Sequence, residues 1–151
     1  MRYWGFVMDE FNQQRKRITT EVTALAVKGF KHFTGMLKPS GQPRCIRFHL
    51  PDGRTIDANS RIFMMLGRSD AELSKDPIDV DFADMDAAAH GVSHEHAVVQ
   101  VSRNQVFVKD FNSRNGTYIN EQELLPMHEY PLSDGDELVL GRLRVRVQFI
   151  Y

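Results

Sequence analysis

The sequence predicts an all-β protein, a two-sheet antiparallel β-sandwich, preceded by an N-terminal α-helical extension. The first observation is a change of period: apolar residues recur at helical steps before Pro39 and alternate with polar residues after it. The second is a series of short apolar runs that turn residues, such as Pro51-Asp52-Gly53, separate from one another. The third is size, because 151 residues with 42% apolar and 26% charged residues are typical of one globular domain with an appendage.

Residues 1–38 are predicted to form an amphipathic helical segment. Apolar side chains recur there at steps of three, four or their sums, and lysines and arginines are interleaved on the other face. The apolar positions of this stripe are Phe11, Ile18, Val22, Leu25 and Phe33. Residues 39–43 contain two prolines and a glycine, which end the helix and form a short linker. The β-domain is therefore predicted to occupy residues 44–151.

Each apolar run of this β-domain predicts a strand. Ile46, Phe48 and Leu50 alternate with polar residues, which is typical of a strand with one face in a core. The other predicted strands are residues 62–66, 97–101, 106–110, 117–119, 137–140 and 143–149. Residues 102–104 and 141–142 lie between neighbouring runs and predict two hairpin turns.

The charge balance excludes a global attraction to nucleic acid. The net charge is −1 at pH 7, so any anion binding must be local. Arg144 and Arg146 lie in the last strand and Arg142 lies just before it, but no aromatic residues are interleaved with them as single-strand binding would require. We interpret these arginines as the solvated face of a half-buried strand, and we expect no nucleic-acid partner.

Cysteine usage and hydropathy indicate a cytoplasmic protein. Cys45 is the only cysteine, which excludes a disulfide framework and a thiolate zinc site within one chain. The N-terminus turns acidic too soon for a secretion signal, and no apolar run approaches the length of a membrane span. A reducing compartment is therefore expected.

Three polar segments flank predicted strands, at residues 67–69, 91–97 and 113–117. Loops at one end of a sandwich are a usual place for recognition sites. The segments combine arginine, hydroxyl and amide groups with backbone amides near glycines, a set that suits a compact dianion such as phosphate. The candidate binding residues are Arg68, Ser93, His94, Arg114 and Asn115.

The order and spacing of these segments resemble the forkhead-associated (FHA) domain of bacterial type. The matching blocks are Gly67-Arg68, Ser93-His94-Glu95-His96-Ala97, Asp110-Phe111, residues 113–120, residues 132–136 and Leu140-Gly141. The resemblance covers about residues 44–151 and leaves out the N-terminal segment. It implies an FHA/SMAD-like sandwich that serves as a phosphothreonine-peptide-binding adaptor module in Ser/Thr kinase signalling.

The resemblance implies a role for individual residues. Arg68 would grip the phosphate, Ser93 would hydrogen-bond to it, and Asn115 would hold the backbone of the bound peptide. His94 and Arg114 depart from the common pattern. His94 is expected to donate to phosphate more strongly when protonated, and Arg114 to add a second cation. The residues expected to support the site are Gly67, His96, Gly116 and Thr117.

The implied partners are a phosphothreonine-containing protein and a Ser/Thr kinase or its substrate. Thr19 and Thr20 follow the basic residues 15–17 and are candidate phosphosites, although the helical period there favours a packed or self-associating helix. The alternative function is a phospho-independent interaction or oligomerisation module that acts through this helix.

Catalysis and metal binding are not predicted. Ser93 with a nearby histidine has the residue types of nucleophilic catalysis, but no nucleophile elbow, Walker loop or dinucleotide-binding glycine pattern is present. His90, His94 and His96 lack the cysteines or matched acids of a metal site. We therefore expect a binding protein without cofactor or metal.

Overall fold

The computed structural model describes residues 41–70, 77–102 and 105–151, which form two β-sheets. Sheet A has the strand order β2-β1-β11-β10-β7-β8, and sheet B has the order β4-β3-β5-β6-β9. The all-β, two-sheet class is therefore confirmed. The strands are β1 (Cys45–His49), β2 (Thr55–Asn59), β3 (Phe63–Gly67), β4 (Val80–Asp81), β5 (Glu95–Ser102), β6 (Gln105–Asp110), β7 (Thr117–Ile119), β8 (Gln122–Glu123), β9 (Glu129–Leu132), β10 (Glu137–Leu140) and β11 (Leu143–Ile150).

The prediction of a purely antiparallel sandwich is wrong at one edge of sheet B. The described strand pairs are antiparallel except β3 and β4, which run parallel through the pairs Leu66–Val80 and Gly67–Asp81. A parallel pair needs a crossover connection, which leaves no local turn signal in the sequence. With only two residues, β4 is also too short to show an alternating pattern.

The core lies between the two sheets. On β11, buried Leu143, Val145 and Val147 alternate with exposed polar residues, as the sequence predicts for a half-buried strand. Phe48 of β1 meets Phe82 edge-on, with ring centroids 6.3 Å apart and an interplanar angle of 87°. Full burial stabilises each such side chain by roughly 1.5–3 kcal/mol, so this core holds the strand ends and their loops in place.

The strands that sequence patterning did not predict are edge strands: β2, β4, β8 and β9 each end a sheet. β8 has two exposed residues, and β9 contains Pro131, which cannot donate to a ladder and is therefore tolerated at an edge. Edge strands bury little apolar surface, so their sequences lack the alternation that identifies inner strands.

Several predictions lie outside the described residues. These are the helical segment 1–38, the candidate phosphosites Thr19 and Thr20, and part of the 102–104 turn, although the β5–β6 ladder is described up to Ser102 and Gln105. Within the described ranges, no helix is long and apolar enough to cross a bilayer.

Candidate functional site

The three predicted polar segments converge at one end of the sandwich. The end of β3 pairs with the start of β5, and the start of β5 pairs with the end of β6. The β10–β11 turn joins them, because Gly141 N donates to Gly116 O at 2.9 Å. The register of the strands thus brings together loops that are up to about seventy residues apart in sequence.

Gly67 lets two of these loops approach closely. A Cβ at this position would lie 1.9 Å from His94 O, far inside van der Waals contact. Arg68 N donates to the same carbonyl at 3.2 Å. The close approach of backbone to backbone therefore requires glycine here.

Arg68 is half-buried, and its guanidinium is anchored at one edge. Its Nε donates to Val92 O at 2.8 Å, and His94 Nδ1 donates to Arg68 O at 3.2 Å. Among the described residues, the two Nη groups of Arg68 have no hydrogen-bond partner. The anchored Nε fixes the guanidinium plane and leaves the two NH2 groups for an anion.

Ser93 and Arg114 meet across two loops. Arg114 N donates to Ser93 Oγ at 3.2 Å, so the serine hydroxyl accepts one bond and keeps its own hydrogen for another acceptor. The side chain of Arg114 is exposed. The site therefore has a second arginine beside Ser93.

His96 is fully buried and braces both loops from beneath. At this point β5 has one residue more than β3, and such a bulge re-aims a side chain. Ser93 N donates to His96 Nδ1 at 2.9 Å, so the neutral ring carries its proton on Nε2, which donates to Gly116 O at 3.0 Å. Burial lowers the pKa of His96 below 6.5, although the Gly116 carbonyl and the Asp110 carboxylate oppose this shift.

Folding stability should therefore decrease on mild acidification. In the unfolded chain His96 has its ordinary pKa and binds a proton first, so its contribution is complete above about pH 6.5 and is lost as the pH falls through the lower folded pKa. Urea unfolding between about pH 7.5 and pH 5.5 should show this loss in the wild type and a smaller loss in His96→Gln. Equal losses in both proteins would contradict this role of His96.

Asp110 organises the loop that carries Asn115. Its buried carboxylate accepts bonds from Ser113 N at 3.0 Å, Ser113 Oγ at 2.5 Å and Thr117 Oγ1 at 2.5 Å. Ser113 Oγ in turn accepts from Gly116 N at 3.0 Å. Sequence reasoning placed Asp110 in a family block but missed this function. The available signal was an acid at the end of an apolar strand, with Ser and Thr three and seven residues later.

Asp110→Ala should destabilise the fold by about 3 kcal/mol, since each lost bond to the carboxylate is worth roughly 1.5–3 kcal/mol and partners are left unsatisfied. Urea unfolding measures this change. The control is Asp57→Ala, which removes a carboxylate that forms an exposed ion pair with Arg47 and should have little effect. Similar losses in both variants would argue against the Asp110 network.

Asn115 is exposed and is fixed by Gly91. Its Nδ2 donates to Gly91 O at 2.9 Å, and a Cβ on Gly91 would lie 2.6 Å from that nitrogen. Gly91 also has a φ of 75°, which favours glycine. Gly91 was absent from the predicted site residues, and its place two residues before Ser93 was the only sequence signal.

The histidines have separate backbone partners. His90 Nδ1 donates to Asp86 O at 3.0 Å, whereas His94 and His96 contact Arg68 and Gly116. Within the described part of the chain, no three His, Cys, Asp or Glu side chains are grouped to hold a metal ion. The arrangement is thus one of anchored donors around two arginines, a chemistry suited to binding an anion.

One family model and several known proteins are similar to this chain. The family model of the FHA domain matches residues 64–141. Protein FraH of Nostoc sp. is 38% identical over 66 residues, which are 44% of this chain and 22% of FraH. Glycogen accumulation regulator GarA of Mycobacterium tuberculosis is 37% identical over 54 residues, which are 36% of this chain and 32% of GarA. The chain thus spans less than a third of the length of either relative.

A solved FHA structure, from a structural and functional analysis of phosphothreonine-dependent FHA domain interactions, has the same fold. Its TM-score is 0.53 at 26% identity, and the alignment covers 71% of this chain and 98% of that one.

Proposed function

The chain belongs to the FHA domain family, and from that premise we propose that it binds phosphothreonine peptides through the loops around Arg68. The observation that carries the proposal is the hydrogen bonding of the Arg68 guanidinium, which is anchored on one side and open on the other. Its Nε is held by Val92 O, while its two Nη groups have no partner among the described residues. A planar fork held in this way is suited to two oxygens of one phosphate.

The neighbouring groups complete a site for phosphate and peptide. Ser93 donates its hydroxyl hydrogen to a phosphate oxygen, Arg114 adds donors and positive charge at the rim, and His94 lies beside them with its Nδ1 held by Arg68 O. Asn115 holds the peptide backbone with the amide oxygen that its bond to Gly91 leaves over. Gly67, His96, Gly116 and Thr117 keep these groups in place.

The expected affinity follows from the charge of the ligand. Phosphothreonine has nearly two negative charges and three acceptor oxygens at neutral pH. Two or three charge-assisted bonds at roughly 1.5–3 kcal/mol each, reduced by the cost of ordering a peptide, correspond to a Kd of about a micromolar or somewhat tighter. This range suits a reversible adaptor.

We place the protein in Ser/Thr kinase signalling, as an adaptor rather than an enzyme. The partner is a phosphothreonine-containing protein, a Ser/Thr kinase or its substrate. The kinship with GarA, a regulator of glycogen accumulation, supports a regulatory role. An adaptor leaves the phosphate intact, so incubation with a phosphothreonine peptide should release no free phosphate.

The test is a pull-down from three degenerate peptide libraries that differ only at the central residue: phosphothreonine, phosphoserine and threonine. The proposal predicts enrichment from the phosphothreonine library, little from the threonine library, and a set of flanking residues that identifies the partner. Equal recovery from the phosphothreonine and threonine libraries would argue for a phospho-independent module, and phosphate release would argue for an enzyme.

A further inference from the structure

The turn between β10 and β11 packs against both recognition loops. Gly141 N bonds to Gly116 O, and Arg142 N donates to His90 O at 2.8 Å. A Cβ on Gly141 would lie 2.7 Å from His90 O and 2.8 Å from Gly91 O, so the backbones are in close contact. The sequence predicted this turn only as a hairpin connection.

The side chain of Arg142 reaches Ala89, the residue before His90, which its backbone amide contacts. Its Nη2 donates a hydrogen bond to Ala89 O, so one arginine holds two successive carbonyls, through its backbone amide and its guanidinium. The bond from the guanidinium is charge-assisted and therefore stronger than a neutral one.

Four consecutive carbonyls are occupied in this segment, which we call the carbonyl ladder, Ala89–Val92. The first two accept from Arg142, the third accepts from Asn115 Nδ2, and the fourth accepts from Arg68 Nε. The two side chains assigned to the peptide and the phosphate are thus anchored on the same short backbone segment that Arg142 holds at its other end.

We propose that Arg142 is a positioning residue for the phosphopeptide site, which it orders by clamping the carbonyl ladder without touching the ligand. The inference rests on the proposed function of the site. Loss of the clamp lets the Ala89–Val92 carbonyls reorient, so Arg68 and Asn115 are in place for only part of the time. The apparent Kd rises in inverse proportion to that fraction.

The test uses Arg142→Met, Arg142→Lys and the control Arg144→Met in the full chain. Met keeps most of the length and the backbone bond to His90 O but has no side-chain donor for Ala89 O, whereas Lys keeps both a side-chain donor and the charge. Arg144 lies two residues along β11 and pairs with Glu137, so its replacement removes the same charge without contact with the ladder. Thermal unfolding checks that all three variants fold.

The first readout is NMR of the ligand-free protein. The side-chain amide signals of Asn115 and the Nε–H signal of Arg68 should shift and exchange faster with solvent in Arg142→Met, and they should return towards wild type in Arg142→Lys. Unchanged signals in Arg142→Met would overturn the proposal whether or not a ligand is known. Changed signals together with no binding by the wild type would support the clamp and contradict the proposed function.

The second readout is affinity for a phosphothreonine peptide enriched from the library. Arg142→Met should bind about three- to tenfold more weakly, by the same factor at roughly 50 and 300 mM salt, because the effect is geometric. A loss that shrinks at high salt would show a direct cation–ligand contact and overturn the positioning role. An equal loss in Arg144→Met would overturn it as well, since it would indicate a general charge effect.

Discussion

Arg68→Ala should lower the affinity for a phosphothreonine peptide by about 100-fold or more, because two charge-assisted bonds of roughly 1.5–3 kcal/mol each are lost together. The arginine is half-buried and its Nε is anchored on Val92 O, so the substitution removes a guanidinium that is already oriented. Calorimetric titration of the enriched peptide into both proteins measures the change. The core does not depend on Arg68, so thermal unfolding should be nearly unchanged.

Two further variants make this prediction specific. Arg68→Lys keeps the charge but loses the planar fork and the Nε anchor, so it should bind clearly more weakly than wild type. Arg146→Ala removes an exposed arginine from β11, in register between His49 and Glu137, and should bind like wild type. If Arg68→Ala and Arg146→Ala bound equally well, Arg68 would have no role in the phosphate contact.

Gly67→Ala should have the largest effect on folding. The added methyl group would lie 1.9 Å from His94 O and 2.8 Å from His94 C, and both are backbone atoms that cannot turn away as a side chain does. β3 and β5 would have to separate, which should cost about 3 kcal/mol or more and displace Arg68. Urea unfolding and phosphopeptide titration should therefore both show losses.

Gly53→Ala is the matched control for this change. Gly53 has a φ of 87° and no atom within 4 Å of an added Cβ, so alanine there meets backbone strain without a clash. Strain of this kind costs about 1 kcal/mol. Gly53 is also outside the three loop segments that carry the proposed binding residues. A Gly67→Ala protein as stable as Gly53→Ala would mean that the contact with His94 is not rigid.

The sequence predicted the inner strands because their two faces differ. On β1, β6 and β11 a core side and an outer side alternate, and this pattern can be seen without coordinates, whereas β5 was predicted from its apolar run and has four consecutive buried residues. The parallel pairing of β4 with β3 could not be predicted, since a two-residue edge strand is specified by its partner and hardly by its own residues. The N-terminal helix and its role in partner binding stay predictions.

The binding residues were named from the order of their motifs, whereas the contacts between them were not predictable. The side chains of Arg68 and Asn115 donate hydrogen bonds to backbone carbonyls of the same segment. Every residue has a backbone carbonyl, so the sequence does not indicate which ones are used. The same holds for Asp110 and Arg142, whose hydrogen-bond partners are brought to them only by the folded chain. Local motifs thus predicted the candidate binding groups, and tertiary contacts explain their placement.

The most direct measurement is a two-dimensional NMR titration of the full chain with the enriched phosphothreonine peptide and its unphosphorylated twin. We expect the phosphorylated peptide to shift the backbone amide signals of Arg68, Ser93 and residues 114–116, and its twin to shift none of them. Shifts by both peptides, or shifts confined to residues 1–38, would contradict phosphate recognition by these loops.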